Sequence, residues 1–325
     1  MPKAIRVYEY GGPEVMKLED VPLAEPGAGQ IRVRQEAIGV NFIDIYFRTG
    51  AYKAAQLPYT PGKEGAGTVT AVGEGVAQIK VGDRVAYGSV GDGCYAEEPV
   101  IPASAAVTMP EGIDAQTAAA MMLKGLTAEY LLHRTYKVKP GDTILWHAAA
   151  GGVGLIACQW AKHLGATVIG TAGSEEKAEL ARQNGCDHVI LYRSEDVAKR
   201  VRELTGGKGV PVVYDGVGQA TLMGSLDSLA PTGLLASFGS ASGPITGLDL
   251  GLLAAKGSLF VTRPTLATFS SQRPVLEEAA ANLFNAVRSG AVKIAVNAVR
   301  PLAEAEGVHR DLAGRETTGS TVMVP

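Results

Sequence analysis

The stretch Ala148-Ala149-Ala150-Gly151-Gly152-Val153-Gly154 constrains this chain more than any other. It lies between a short apolar, β-prone run, Thr143 to His147, and a segment from Val153 to Leu164 whose apolar residues recur at helical spacing. Small residues at a strand-to-helix turn let backbone amides approach a pyrophosphate at the helix N-terminus. Residues Ala149 to Gly154 match G-x-G-x-x-G except that Ala149 replaces the first glycine. Such a match is weak alone and strong inside a strand–helix alternation. That alternation is present. Strands are expected at 143–147, 167–170, 188–191, 210–214 and 234–238, with helices at 153–164, 175–183, 197–204 and 222–229 between them. The pattern predicts an α/β fold with a doubly wound parallel sheet binding a dinucleotide.

Which dinucleotide is bound follows from the end of the second strand. An NAD site places a carboxylate there, roughly 20 residues beyond the glycines, to hold the ribose hydroxyls. Here the tip reads Thr171-Ala172-Gly173-Ser174, with Lys177 a helical turn further on. No acid repels a 2′-phosphate, and Ser174 and Lys177 are suited to bind one. The cofactor expected is NADPH, with Glu175 and Glu176 as the contrary feature.

The chain has 325 residues, long for one core, so two domains are expected. The first third is β-rich, with short runs at 4–8, 30–38, 67–72 and 84–86 broken by Gly and Pro turns; an alanine-rich helix is expected over 115–133. A helix at 275–289 and short closing segments form a tail too small for its own domain, expected to pack on the N-terminal part. A formal net charge of −3 gives no basic footprint for nucleic acid. Cys94, Cys158 and Cys186 are sparse and far apart, which fits a reducing compartment better than a disulfide scaffold. No apolar run reaches the roughly 18–20 residues of a membrane span, and Met1 leads directly into a strand pattern. A soluble, cytoplasmic protein is the expectation.

Further stretches carry a resemblance over essentially the whole length: residues 11–15 (GGPEV), 39–44 (GVNFID), 123–128 (LKGLTA), 147–154 (HAAAGGVG), 213–218 (VYDGVG), 237–239 (SFG) and 259–264 (LFVTRP). Together they resemble the quinone oxidoreductase, or zeta-crystallin-like, branch of the medium-chain dehydrogenase/reductase superfamily. The resemblance implies a β-rich GroES-like catalytic domain, residues 1–123 and 265–325, around a Rossmann NADPH domain, residues 124–264. It also implies a homodimer and an active site between domains. By position it implies that Asn41, Asp44 and Tyr46 lie near the nicotinamide, with Thr127 and Tyr130 in the cleft. Gly151, Gly152 and Val153 would hold the pyrophosphate. Gly173, Ser174, Lys177 and Tyr192 would surround the 2′-phosphate. Val217, Phe238, Gly239 and Ser240 would follow the later strand tips, and Arg315 would reach in from the C-terminal segment.

Zinc-dependent relatives use a cysteine, then a histidine in a Gly-His-Glu turn. Here Asn41 and Gly62-Lys63-Glu64 occupy those positions, and lysine is a poor zinc ligand. The four-cysteine structural loop is absent, and the five histidines show no ligand spacing. No metal is expected. Without a Lewis acid, simple alcohol oxidation is disfavoured, whereas a conjugated acceptor needs mainly positioning. Tyr46 and Tyr52 are the candidates to line the acceptor pocket and hydrogen-bond a quinone oxygen; with Asn41 they form the expected catalytic set. The residues show no acid–base dyad. Two alternatives stay open: an NADPH-dependent alkenal or enone reductase, and a cofactor-binding protein with an RNA-binding or structural role. The apolar edge run Leu259-Phe260-Val261 is expected to pair with its copy across a two-fold axis.

Overall fold

The computed structural model describes residues 1–314 and 317–325. They divide into two compact units: residues 1–126, 269–288 and 294–325, and residues 127–268 with 289–293.

The first unit opens with an antiparallel pair, β1 (Lys3–Val7) and β2 (Met16–Asp20). Next come β3 (Gln30–Gly39), helix α1 (Phe42–Arg48), β4 (Glu64–Val72), β5 (Arg84–Tyr87), β6 (Val100–Pro102) and β7 (Val107–Thr108). Along β3 buried and exposed residues alternate until both faces become covered near Gly39, as in an antiparallel strand with one wet face. Apolar clusters pack in this unit around Ile31, Val33, Val85 and Ile101, and around Ile5, Val7, Ile38 and Tyr95.

Helix α2 (Ala115–Tyr130) runs across the division between the units. The helix expected to reach residue 133 changes to a π-helical turn, Leu131–Thr135. The amide of Tyr136 reaches back five residues to the Leu131 carbonyl, which also accepts the Tyr214 hydroxyl at 3.2 Å. That second donor is tertiary and has no local signature.

The second unit follows with β8 (Thr143–Trp146), α3 (Gly152–His163), β9 (Thr167–Ala172), α4 (Glu175–Gln183), β10 (His188–Leu191), α5 (Val197–Leu204) and β11 (Val210–Asp215). It continues with α6 (Leu222–Ser228), β12 (Leu229–Ser237), α7 (Leu250–Ala255) and β13 (Phe260–Thr262). The six strands are all parallel, in the order β10-β9-β8-β11-β12-β13. This is the doubly wound order, with its reversal beside β8. Strand β9 reads Thr-Val-Ile-Gly-Thr-Ala and is buried from its second residue on, as a strand covered on both faces must be. Strand β12 starts five residues before the expected 234. Val210 faces Leu229 but Val212 faces Leu234, so the strand takes up Pro231, Thr232 and Gly233 as a bulge, with Thr232 at φ 60°.

Helices α8 (Leu266–Phe269) and α9 (Arg273–Arg288), strand β14 (Val296–Pro301), helix α10 (Ala305–Gly314) and strand β15 (Ser320–Val324) complete the chain. Strand β15 pairs antiparallel with β3, so the tail extends the N-terminal sheet to β14-β15-β3-β4-β5-β7. Among the described residues, no helix is long and apolar enough to cross a membrane. All three cysteines are buried and unpaired.

Candidate active site

In the second unit, the loop after β8 turns into α3 at Gly151, which takes the N-cap position. Gly151 is exposed, and Gly152 and Val153 are half-buried at the start of the helix, where unpaired amides and the helix dipole favour an anion. A Cβ at Gly154 would come within 2.5 Å of the Ala149 carbonyl, so only glycine lets helix and loop pack this closely. Ala149 replaces the expected first glycine without strain because the left-handed residue is its neighbour, Ala148, at φ 54°.

At the next tip, Ser174 caps α4, its hydroxyl accepting the Lys177 amide at 3.3 Å. Lys177 is half-buried on the same turn. Tyr192 follows β10, and its hydroxyl stands over Gly173, where a Cβ would meet it at 2.5 Å. Gly173, Ser174, Lys177 and Tyr192 are therefore gathered at one tip. Glu175, the contrary acid, pairs with Arg182 at 2.7 Å. This arrangement fits a dinucleotide phosphate: small residues around exposed amides, a cation, and a tip free of carboxylate.

The later tips meet around Asp215. Val217 donates its amide to Asp215 Oδ1 at 2.8 Å, and the Phe238 amide donates to the Asp215 carbonyl, also at 2.8 Å. The Phe238 ring lies 5.5 Å from Trp146, and Gly239 packs so tightly that a Cβ would touch the Gly216 carbonyl at 2.2 Å. Arg263, placed in no role by the sequence analysis, donates to the Ser237 carbonyl at 2.9 Å and to the Ser240 hydroxyl at 3.4 Å. Its charge also opposes the upward pressure that burial puts on the Tyr130 phenol. Arg263 thus holds the strand tip at Ser237 and Ser240; its only sequence signal was membership of the 259–264 stretch. Thr127 and Tyr130, three residues apart on α2, are both buried.

In the first unit Asn41 precedes α1 and is 4% exposed. Its Nδ2 donates to Glu64 Oε2 at 2.6 Å, and its backbone amide donates to Asp44 Oδ2 at 2.9 Å. Glu64 Oε1 accepts the Leu123 amide at 2.7 Å, and Lys124 Nζ stands 3.5 Å from Oε2. Lys63 pairs with Asp92 at 2.8 Å and lies 4.0 Å over the Phe47 ring. These positions do not fit zinc: an amide NH₂ and two ammonium groups occupy the ground that metal ligands would need. Among the described residues, no group of three or more His, Cys, Asp or Glu side chains gathers as a metal site.

Asp44 is buried, and the structure turns its carboxyl inward, where it also accepts the Tyr95 hydroxyl at 3.1 Å. Tyr95 Oη meets His309 Nε2 at 2.9 Å, and His309 Nδ1 meets Arg48 at 3.3 Å. Burial pushes the Asp44 carboxyl up to about 7. Burial and the Arg48 charge pull His309 down to about 3. Arg48 can only donate, so neutral His309 accepts at Nδ1 and donates from Nε2 to Tyr95, which donates to Asp44. Nothing in the spacing of the histidines points to this chain, because Arg48 and His309 lie 261 residues apart. Tyr46, on α1, packs edge-on against Phe42 and Tyr52 at 5.4 and 5.2 Å, and Tyr52 is 38% exposed. Arg315 lies outside the described residues.

Two family descriptions match the chain in sequence. Residues 27–140 match the alcohol dehydrogenase GroES-like domain, and residues 152–282 match the family described as zinc-binding dehydrogenase. A quinone oxidoreductase of Pseudomonas aeruginosa is 54% identical across the full length of both chains. A 2-haloacrylate reductase of Burkholderia is 47% identical, covering all of this chain and 99% of that one. Among solved structures, Escherichia coli quinone oxidoreductase complexed with NADPH superposes with a TM-score of 0.97 at 47% identity, over 99% of this chain and 100% of that one.

Proposed function

The chain belongs to the quinone oxidoreductase family of medium-chain dehydrogenase/reductases, and we propose that it reduces a quinone-like conjugated acceptor with NADPH and without zinc. The observation that carries this reading is the pairing of an intact phosphate loop with a former metal position filled by the protein's own donors. Residues 124–264 bind the dinucleotide, and residues 1–123 with 265–325 receive the acceptor. When bound, the nicotinamide supplies the hydride. Gly152 and Val153 hold the pyrophosphate through backbone amides, and Gly151 lets it approach the turn, its own amide donating to the Ala148 carbonyl at 2.9 Å. Ser174, Lys177 and Tyr192 hold the 2′-phosphate beside Gly173, and Val217, Phe238, Gly239 and Ser240 line the path toward the reactive ring.

Asn41 is kept in place by Glu64 and by Asp44, so Asp44 acts through Asn41 and not as a direct ligand. Tyr46 and Tyr52 orient the acceptor, with a hydroxyl donated to its oxygen. Because a conjugated acceptor is already electrophilic, orientation supplies much of the acceleration that a metal supplies elsewhere. Three buried, unpaired thiols fit a cytoplasmic setting, and the exposed edge strand β13 fits a homodimer.

The 2-haloacrylate reductase relative favours a second reading, reduction of an activated alkene by the same donor. An acceptor screen with NADPH tests both. Turnover of quinones with none of simple alcohols supports the first; turnover of enals or haloacrylates with negligible activity on every quinone transfers the assignment to the second.

A further inference from the structure

A second buried polar chain lies under the phosphate loop, and none of its side chains is assigned to binding above. His147, at the end of β8, is 2% exposed. Its Nε2 is 3.0 Å from the Ser225 hydroxyl on α6, and its Nδ1 is 3.2 Å from the Thr171 hydroxyl on β9. Ser225 Oγ is 2.8 Å from Asp215 Oδ2, at the tip of β11. The Thr171 hydroxyl also accepts the Ala148 amide at 3.2 Å, and the Thr171 carbonyl accepts the Ala149 amide at 3.0 Å.

The donors resolve in one direction. Asp215 also takes the Thr221 hydroxyl and the amides of Val217 and Gly218, so every group facing this carboxylate donates. Ser225 must then donate to Asp215, which leaves its oxygen to accept from His147 Nε2–H. His147 Nδ1 is consequently the acceptor, and the Thr171 hydroxyl donates to it while its own oxygen receives the Ala148 N–H. The opposite tautomer would take the Ser225 proton away from Asp215 and leave the Thr171 proton with no acceptor in this chain. An imidazolium would disrupt it likewise, and burial pulls His147 below its ordinary range.

The chain joins three strand tips: β8, which leads into the phosphate loop; β9, which leads to Gly173 and Ser174; and β11, which leads to Val217. At its head sits Ala148, a non-glycine residue at φ 54°, a backbone state that costs alanine on the order of 1 kcal/mol or more. Thr171 grips both amides of that strained turn.

We propose that His147, held as the neutral Nε2–H tautomer between Thr171 and Ser225, is a positioning residue that sets the strained Ala148 turn and fixes the phosphate loop in register with the strand tips that receive the rest of the dinucleotide. This rests on the reading of that loop as the NADPH site.

The test combines NADPH titration with nitrogen NMR of ¹⁵N-histidine-labelled protein, on the full chain. In the native protein, His147 should show an unprotonated Nδ1 and a protonated Nε2 at neutral pH. Thr171→Val, which keeps the side-chain shape and removes the hydroxyl, should weaken NADPH about tenfold or more. Thr171→Ser should return the affinity to within about threefold of native, which a merely steric role would not predict. His147→Gln is a companion variant; if it fails to fold, the Thr171 pair and the native spectrum still decide. A protonated Nδ1, or native affinity in Thr171→Val, overturns the proposal while leaving the cofactor reading intact. Absence of NADPH binding to the native protein overturns the cofactor reading, and the proposal with it.

Discussion

The side-chain amide of Asn41 donates to Glu64 across 2.6 Å, and Lys124 stands 3.5 Å from the same carboxylate oxygen. Glu64 is fully buried, so its charge is met entirely by donors of this chain. Both of its oxygens are met, by the Leu123 amide and by Asn41 with Lys124. Purified protein should accordingly carry no stoichiometric zinc, and NADPH-dependent quinone turnover should survive exhaustive chelation. One tightly bound zinc per chain by elemental analysis would refute this.

Coenzyme choice should rest on the β9 tip. Lys177→Ala is expected to weaken NADPH by about 1–3 kcal/mol, the range for a charge-assisted contact, and to leave NADH nearly unchanged. Equal affinity of the native protein for both coenzymes in a fluorescence titration would remove the 2′-phosphate from the argument.

Tyr52 packs edge-on against both Tyr46 and Phe47, at 5.2 and 5.7 Å, so its ring is held by contacts that Phe would keep. Tyr52→Phe should then lower quinone turnover several-fold with little effect on NADPH binding. Unchanged steady-state kinetics would remove the hydroxyl from the mechanism and leave the reaction class standing.

The Asp44–Tyr95–His309 chain makes a signed prediction for stability. Burial raises the folded-state Asp44 carboxyl from 3.8 to about 7. Its contribution is therefore fully present below about pH 4 and is lost as pH rises through about 7. His309, lowered from 6.5 to about 3, has the opposite slope: its contribution is present above about pH 6.5 and is lost as pH falls toward 3. Asp44→Asn removes only the first slope. Native stability minus that of the variant should fall by on the order of 2–4 kcal/mol between about pH 4 and 7.5, read from denaturant midpoints. A difference that grows with pH would contradict the protonated, inward-facing carboxyl.

Strand β13 ends the parallel sheet, with Phe260 61% exposed. An uncharged, β-prone edge is an aggregation hazard unless covered, and isologous pairing covers it. Light scattering at micromolar concentration should give twice the chain mass, and Phe260→Lys, which charges the exposed edge, should shift the protein toward monomer. A native monomer would sink the assembly proposed here.

What the sequence determined by itself is local. Strand and helix alternation over residues 143–262, the Gly151–Gly154 loop and the acid-free tip at Gly173 are short-range patterns, because each depends on residues a few positions apart on one strand, one turn or one helix face. The full-length motifs identified the family for the same reason. Tertiary structure decided what distant residues do to one another. Ala148, not a glycine, holds the left-handed turn because Thr171 secures its amide from the next strand. Arg48 and His309 meet although 261 residues separate them, and Asp44 faces inward because Tyr95 is there to donate. Strand β15 completes the N-terminal sheet by pairing with β3 from the far end of the chain. Buried polar groups take whichever partners the fold brings within about 3 Å, and that choice is made only when separated segments close on one another.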